Sequence, residues 1–268
     1  MTEERQGSAR GRELGEELRR VRRRAGLTGV ALARELEWSS AKVSKLEKGW
    51  RGTGEGDIGA FLGRCGADKV TRRRVLGMAV EPDLGWFVRP HRERPADELT
   101  CLAVHERSAV TVTCYEPFVV PSLLQTDEYA RALTDGDPEP RLRRQRDLGQ
   151  AVCVFYVHEA AFCLPVGDAA VMHGQMVRLA FAADSTVLRV IPVSAGNHRA
   201  LRHPATVLTF DKDVTALAFA EIDAATVFLD DDRAVKAYQD KHAVLDGLAL
   251  DTGRSHETLI RWAEVYAR

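Results

Sequence analysis

The chain has 268 residues, 45 % apolar and 29 % charged, with a formal net charge of −1. This is ordinary globular composition, long enough for two domains. No apolar run reaches the ~18 residues that a membrane span needs, and the polar N-terminus "MTEERQGSARGREL" has no hydrophobic stretch behind it, which argues against a secretory signal.

The charge is unevenly placed. Residues 1–80 carry 18 Lys+Arg against 11 Asp+Glu (+7), and the remainder carries 20 against 28 (−8). The basic third is expected to attract a polyanion that the acidic remainder would repel. Five scattered cysteines, Cys65, Cys101, Cys114, Cys153 and Cys163, include no C-x-x-C pair. They support neither a zinc site nor a disulfide framework, and read as reduced, mostly buried thiols of a cytoplasmic protein.

Residues 1–10 read as a flexible tail. In "RELGEELRRVRRR", Leu14, Leu18 and Val21 fall at helical spacing and Gly26 stops the helix. Thr28 is suited to cap a second helix with apolar Val30, Leu32, Ala33 and Leu36; Ser39 or Ser40 caps a third, with Val43 and Leu46 inside. "GWRGTGEG" is a glycine-rich loop. Ile58, Phe61 and Leu62 restart a helix that ends near Gly66, and "DKVTRRRVLGMA" supplies a fifth. Residues 11–80 are therefore expected to form an all-α five-helix domain. Pro82, Pro90 and Pro95 mark residues 81–95 as a linker. Beyond it, "VTVTCY", "VCVFYV", "VLRVIPV", "TVLTF", "TALAFAEI" and "TVFL" are β-branched runs that read as strands. Helical patterns near 97–108, 126–134, 139–149, 168–183, 231–248 and 255–266 lie among them. This alternation predicts an α/β domain with a mixed sheet over residues 96–268.

The second and third helices satisfy the constraints of a helix that reads DNA. The major groove is ~12 Å wide and admits one α-helix; a preceding helix must hold it there. Close crossing needs a small residue, Ala33. Leu32 and Leu36 on one helix must face Val43 and Leu46 on the other. The outward face is then Ser40, Ala41, Lys42, Ser44, Lys45 and Lys48, small or cationic groups that can approach bases and phosphates. Arg22–Arg24 and Arg72–Arg74 read mainly as solvated charge, because three consecutive residues spread around a helix and cannot all face one groove.

This stretch resembles the helix-turn-helix of phage-repressor-type (Xre-like) regulators. "KVSKLEKGWR" is similar to their recognition-helix ending, in which Leu46, Glu47 and Gly49 are typical. The resemblance covers about residues 12–80. It implies Ser40, Ala41, Lys42, Ser44 and Lys45 as base-facing positions, Thr28, Lys48 and Arg51 as phosphate contacts, and a homodimer on double-stranded DNA. Two positions depart from the pattern. Gly29 stands where the family often has Gln. Glu37 stands where its turn usually has Gly, so a non-glycine residue is expected in a left-handed conformation at a cost of ~1 kcal/mol.

"CYEPFVVPSLLQTDEYARAL" (Cys114–Leu133) resembles the opening of a domain of unknown function that follows such a helix-turn-helix in many actinobacterial, antitoxin-like regulators. "RLRRQRDL", "HEAAFCLPVGDAAVMHGQMVRL", "VLRVIPVSAGNHRAL" and "TVFLDDDRAVKAYQDKHAVLDGLAL" extend the likeness over about residues 96–266; Ser122 departs from the usual Gly. The resemblance implies a regulatory module for dimerisation, signal sensing or docking of a small partner protein. An alternative is an antitoxin whose main role is to neutralise such a partner.

Chemistry-bearing motifs are few. His158–Glu159 has no second pair at ligand spacing, which gives no expectation of a metal. Ser194, His198 and His203 share a loop region without a G-x-S-x-G elbow. There is no Gly-rich phosphate cradle, so neither a cofactor nor an enzyme is expected. Tyr115, Glu116, Gln125, Asn197 and His198 read either as structural hydrogen-bonding groups or as the lining of a ligand or partner pocket. The expected function is a cytoplasmic, sequence-specific DNA-binding transcriptional regulator.

Overall fold

The computed structural model describes residues 8–50, 54–82, 84–91, 95–134, 137–183, 186–211 and 214–268. The chain divides into two compact units, Met1–Phe87 with Asp211–Thr215, and Val88–Phe210 with Ala216–Arg268.

The first unit holds five described helices: α1 (Ala9–Arg24), α2 (Gly29–Glu35), α3 (Ser40–Glu47), α4 (Glu55–Arg64) and α5 (Lys69–Ala79). Four of them start on a side-chain cap. Ser8 accepts from the Gly11 N–H, Thr28 from Ala31, Ser39 from Lys42 and Asp68 from Thr71, and each cap is worth ~1 kcal/mol. Leu18, Leu32, Val43, Leu46, Ile58, Phe61, Leu62 and Val75 are all buried in one core that draws on every helix. Those aliphatic and aromatic positions are the ones that recur at helical spacing in the sequence.

α1 and α3 approach unusually closely, because glycines face each other. A Cβ on Gly15 would lie 2.5 Å from the Glu47 carbonyl oxygen, and one on Gly11 would lie 2.4 Å from that of Gly49. Gly11 and Gly15 are one turn apart and so share a face of α1. Gly49 is doubly constrained: its φ is +69°, and a Cβ there would overlap the Gly11 carbonyl at 1.8 Å.

The second unit is α/β. The strands are β1 (Trp86–Pro90), which spans the boundary at Phe87, β2 (Thr111–Glu116), β3 (Val152–His158), β4 (Val187–Ile191), β5 (Ala205–Thr209), β6 (Leu217–Ile222) and β7 (Ala225–Leu229). They form a seven-stranded sheet in the order β1-β7-β6-β5-β2-β3-β4. β2, β3 and β4 pair in parallel, while β2–β5, β5–β6 and β6–β7 are antiparallel, so the sheet is mixed. The parallel half is connected through helices: α7 (Asp127–Thr134) and α8 (Glu139–Asp147) between β2 and β3, α9 (Ala160–Cys163) and α10 (Ala169–Ala182) between β3 and β4. In the antiparallel half, β5, β6 and β7 are neighbours in the sheet in chain order. α6 (Pro95–Glu106), α11 (Asp232–Leu248) and α12 (Thr252–Tyr266) complete the unit.

One sequence expectation is corrected here. Residues 81–95 are not simply a linker, because Trp86–Pro90 is strand β1. Phe87 is buried to 4 % exposure between exposed neighbours, the period-2 pattern of a half-buried strand. Pro90 is the last residue of an edge strand, where the missing N–H costs no ladder bond. The cysteines also differ: only Cys65 and Cys114 are buried, Cys163 is exposed, and all five are free.

The opposite edge, β4, is closed by the C-terminal segment. The Leu250 N–H donates to the Val190 carbonyl at 2.9 Å, and the Ser255 hydroxyl accepts from the Val190 N–H at 3.0 Å. This removes the open ladder that would otherwise template aggregation. No described helix is long and apolar enough to cross a membrane.

The glycine contact yields a stability prediction. Gly15→Ala must push α3 away from α1 against backbone, not against a flexible side chain, so a loss of about 2 kcal/mol or more is expected. Urea denaturation of the full-length chain measures it, and a loss under about 0.5 kcal/mol would show that the helices part easily.

Candidate nucleic-acid interface

The geometry is built around α3. Val43 and Leu46 are buried at 2 % and 1 % exposure, and Leu32 and Ala33 of α2 are buried in the same core, with half-buried Leu36 packed on it. Ser40, Ala41, Ser44, Lys45 and Lys48 are exposed. One face of α3 is thus sealed into the unit while the other is open along its whole length.

The turn between α2 and α3 is a Schellman motif. The Trp38 N–H donates to the Ala33 carbonyl at 2.8 Å and the Glu37 N–H to that of Arg34 at 3.2 Å, the 6→1 and 5→2 pattern that closes a helix C-terminus. The left-handed residue is Glu37, with φ +55°, the only non-glycine residue of positive φ among those described. The strain expected from the sequence is therefore present. Trp38 packs on the core just behind it. α3 ends in the same way, with Gly49 left-handed and the Trp50 N–H donating to Lys45 at 3.1 Å. At Gly29 a Cβ would meet only the Val43 Cγ1, at 3.9 Å, so space does not require glycine there.

α3 is anchored by a buried charge. Glu47 is 9 % exposed. It accepts from Arg22 Nη2 at 2.9 Å and from Arg22 Nε, and Arg19 Nε lies at 3.4 Å. Arg19 also donates to the Glu47 carbonyl at 3.2 Å, and Arg22 to the Leu27 carbonyl at 2.7 Å. The Arg22 guanidinium is held above its ordinary pKa, chiefly by its hydrogen bonds to Glu47. Arg22 is thus a structural residue rather than solvated surface charge, while Arg23 and Arg24 remain exposed.

The lysines differ from one another. Lys42 is half-buried; its Nζ donates to Asp57 Oδ1 at 2.8 Å and lies 4.1 Å from the centre of the Trp38 ring. Lys45 and Lys48 flank Trp50, at 5.2 and 5.8 Å from its ring centre. Thr28 is exposed, and its hydroxyl, already accepting from the Ala31 N–H at 3.1 Å, keeps its own proton to donate. Arg51 lies outside the described residues. Sequence reasoning did not find Trp38, Trp50 or Asp57; the signal for the tryptophans was their position directly after the left-handed residue of each turn, where a hydrophobic contact is common.

In the second unit, Tyr115 and Glu116, two of the five residues read as structural hydrogen-bonding groups or as a pocket lining, lie on opposite faces of β2. Successive residues of a strand face opposite sides of the sheet. Tyr115 is fully buried in a core with Tyr156, Leu201 and Leu245, its hydroxyl donating to the Leu201 carbonyl at 3.0 Å. Glu116 lines a different cavity, of about 10 Å³, with Glu106, Arg144, Thr206 and Glu221 among its other walls. Gln125 is buried and donates to the Val120 carbonyl at 2.8 Å. His198 caps a 3-10 turn through the Ala200 N–H, and Asn197 is exposed. Arg144 and Glu106 form a bidentate pair at 2.8 and 2.6 Å, both nearly fully buried.

Glu159 is likewise occupied, accepting from the Val193 N–H, Trp262 Nε1 and Arg261. No described group of three His, Cys, Asp or Glu side chains could hold a metal ion. A separate open groove of about 710 Å³ is lined by Leu148, Val152, Phe155, Phe181 and Val187 with Arg178. Phe181 is 70 % exposed there.

Residues 13–75 match a family described as a helix-turn-helix domain, and residues 99–261 match one described as a domain of unknown function. No curated protein and no solved structure matches the chain.

Two predictions follow from local chemistry. Glu37→Gly relieves the left-handed strain, less the entropy of the freed unfolded chain, and should stabilise by about 0.5–1 kcal/mol in urea denaturation; a destabilised variant would show that the Glu37 side chain contributes more than its backbone costs. The Glu116 carboxyl is pushed up to about 8, first by burial and then by Glu221, with Lys241 and Arg141 opposing. Because the folded value lies above the unfolded one, stability from this group is present at low pH and is lost as the pH rises from about 4 toward 8. Glu116→Gln should therefore match wild type near pH 4 and become progressively more stable than wild type up to about pH 8 in thermal melts; a constant difference across that range would refute the assignment.

Proposed function

The chain belongs to the DUF5753 family, whose domain covers residues 99–261 and so more than half its length, and on that premise we propose that it is an intracellular, sequence-specific transcriptional regulator that lays α3 in the DNA major groove. The helix-turn-helix match at residues 13–75 supports DNA binding as its coarse function. The observation that carries the finer reading is the division of α3 into a sealed face, Val43, Leu46 and Glu47, and an open face, Ser40, Ala41, Ser44, Lys45 and Lys48. A helix held so can enter a groove without exposing its core.

In this reading Lys45 approaches a guanine edge, the commonest partner of a cationic side chain in the major groove. Ala41 suits a thymine methyl, and Ser40 and Ser44 suit either base. Thr28 and Lys48 meet phosphates. The protein binds as a homodimer of the Xre-like type on two half-sites about 10 bp apart. The second unit dimerises, senses a signal or receives a small partner, and its apolar groove is the surface that supports such a role. The reading assigns the chain no reaction.

Selection of bound duplexes from a random pool by the full-length protein, at low and near-physiological salt, tests this. An inverted repeat that survives the higher salt is expected; binding without enrichment, lost as salt rises, would mean that the basic face supplies only generic affinity. On the recovered operator, Lys45→Ala should relax preference at one base pair of each half-site by about 1–3 kcal/mol. Lys48→Ala should weaken operator and random duplex alike and reduce the salt slope by about 1 for each protomer bound. Equilibrium binding titrations distinguish the two, and identical losses in both variants would show that the face is misassigned.

A further inference from the structure

Lys42 is the third residue of α3, on the turn that would enter the groove first. Its ammonium is held on two sides. Asp57 of α4 accepts from it at 2.8 Å, and the Trp38 ring lies beneath it at 4.1 Å. Both holders are themselves fixed. Trp38 is set by the Schellman turn and packs on the core. Asp57 lies in the first turn of α4, where the positive end of the helix favours a carboxylate.

A surface ion pair alone is a weak tether, but stacking on an indole adds a second contact in the same place. A lysine so engaged reaches neither a base edge nor a phosphate without losing both. The carboxylate beside it also repels any phosphate that approaches this end of α3. A free lysine here would do the opposite: it would neutralise a phosphate of any duplex and raise affinity without regard to sequence.

We infer that Asp57 is an affinity-setting residue that withholds Lys42 from DNA, leaving Ser40, Ala41, Ser44 and Lys45 as the reading edge of α3. The inference rests on the DNA-binding reading above and narrows it. Its consequence is a lower affinity for any duplex, obtained by removing one cation from the surface rather than by altering a base contact.

The test uses full-length wild type, D57N and D57N/K42A, titrated against the selected operator and a scrambled duplex over a range of salt. Asn is isosteric with Asp, and thermal melts of each variant check that the fold is kept. In D57N one released cation should, for each protomer bound, tighten binding to the scrambled duplex about eightfold near 0.1 M salt and steepen the salt slope by about one. Operator affinity should rise by a similar factor, because a phosphate contact does not depend on sequence. The gain should vanish in D57N/K42A. A D57N protein with wild-type slope and wild-type affinity for both duplexes would overturn the inference. So would a gain that persists in D57N/K42A, since the carboxylate would then act without Lys42. If wild type itself enriches no sequence, the sequence-specific reading of α3 fails, and this inference fails with it.

Discussion

The helix-turn-helix depends on how α1 grips the end of α3. Two things happen at one place: glycine faces glycine so that the backbones nearly touch, and Glu47 enters the interface to meet Arg22 and Arg19. A buried carboxylate without a cation is heavily penalised, so removing either partner costs far more than the pair contributes against an apolar replacement. The arrangement therefore specifies more than it stabilises. It fixes the rotation of α3 about its own axis, because only one rotation places Glu47 against Arg22 and Gly49 against Gly11. The open face follows from that rotation.

The same end of α3 shows how a strained turn is accommodated. Both turns, after α2 and after α3, are closed by the same hydrogen-bond pattern and followed by a tryptophan. One uses Gly49 and the other Glu37 in the left-handed position. The strain at Glu37 persists because the core contact of Trp38 and the two turn hydrogen bonds act together. Each tryptophan then serves a second purpose, as a platform for lysines on the outer surface.

In the α/β unit the interior strand β2 separates two environments. Tyr115 is enclosed by apolar groups, and the neighbouring Glu116 faces a small polar cavity that includes the buried Arg144–Glu106 pair. Burial and the proximity of Glu221 both favour the protonated form of Glu116. The strand alternation that makes this possible sets Tyr115 and Glu116, adjacent in sequence, on opposite faces of the sheet.

The sequence by itself determined the local features, since each depends on neighbours a few positions away. Apolar spacing located the five helices of the first unit, hydroxyl caps marked the starts of the second and third, and β-branched runs located six of the seven strands. Even the left-handed Glu37 was legible through the resemblance, because it stands where the helix-turn-helix pattern usually has glycine. Only the tertiary structure decided what depends on long-range pairing. β1 hid among three prolines because a sheet edge tolerates what a central strand does not. Arg22 looked like one of three solvated arginines until Glu47, 25 residues away, took its guanidinium. Lys42 read as one more cation of the open face until Asp57, across a glycine-rich loop, engaged it. Periodicity reports which face of an element is buried; it carries no information about which charge on another element that face will meet.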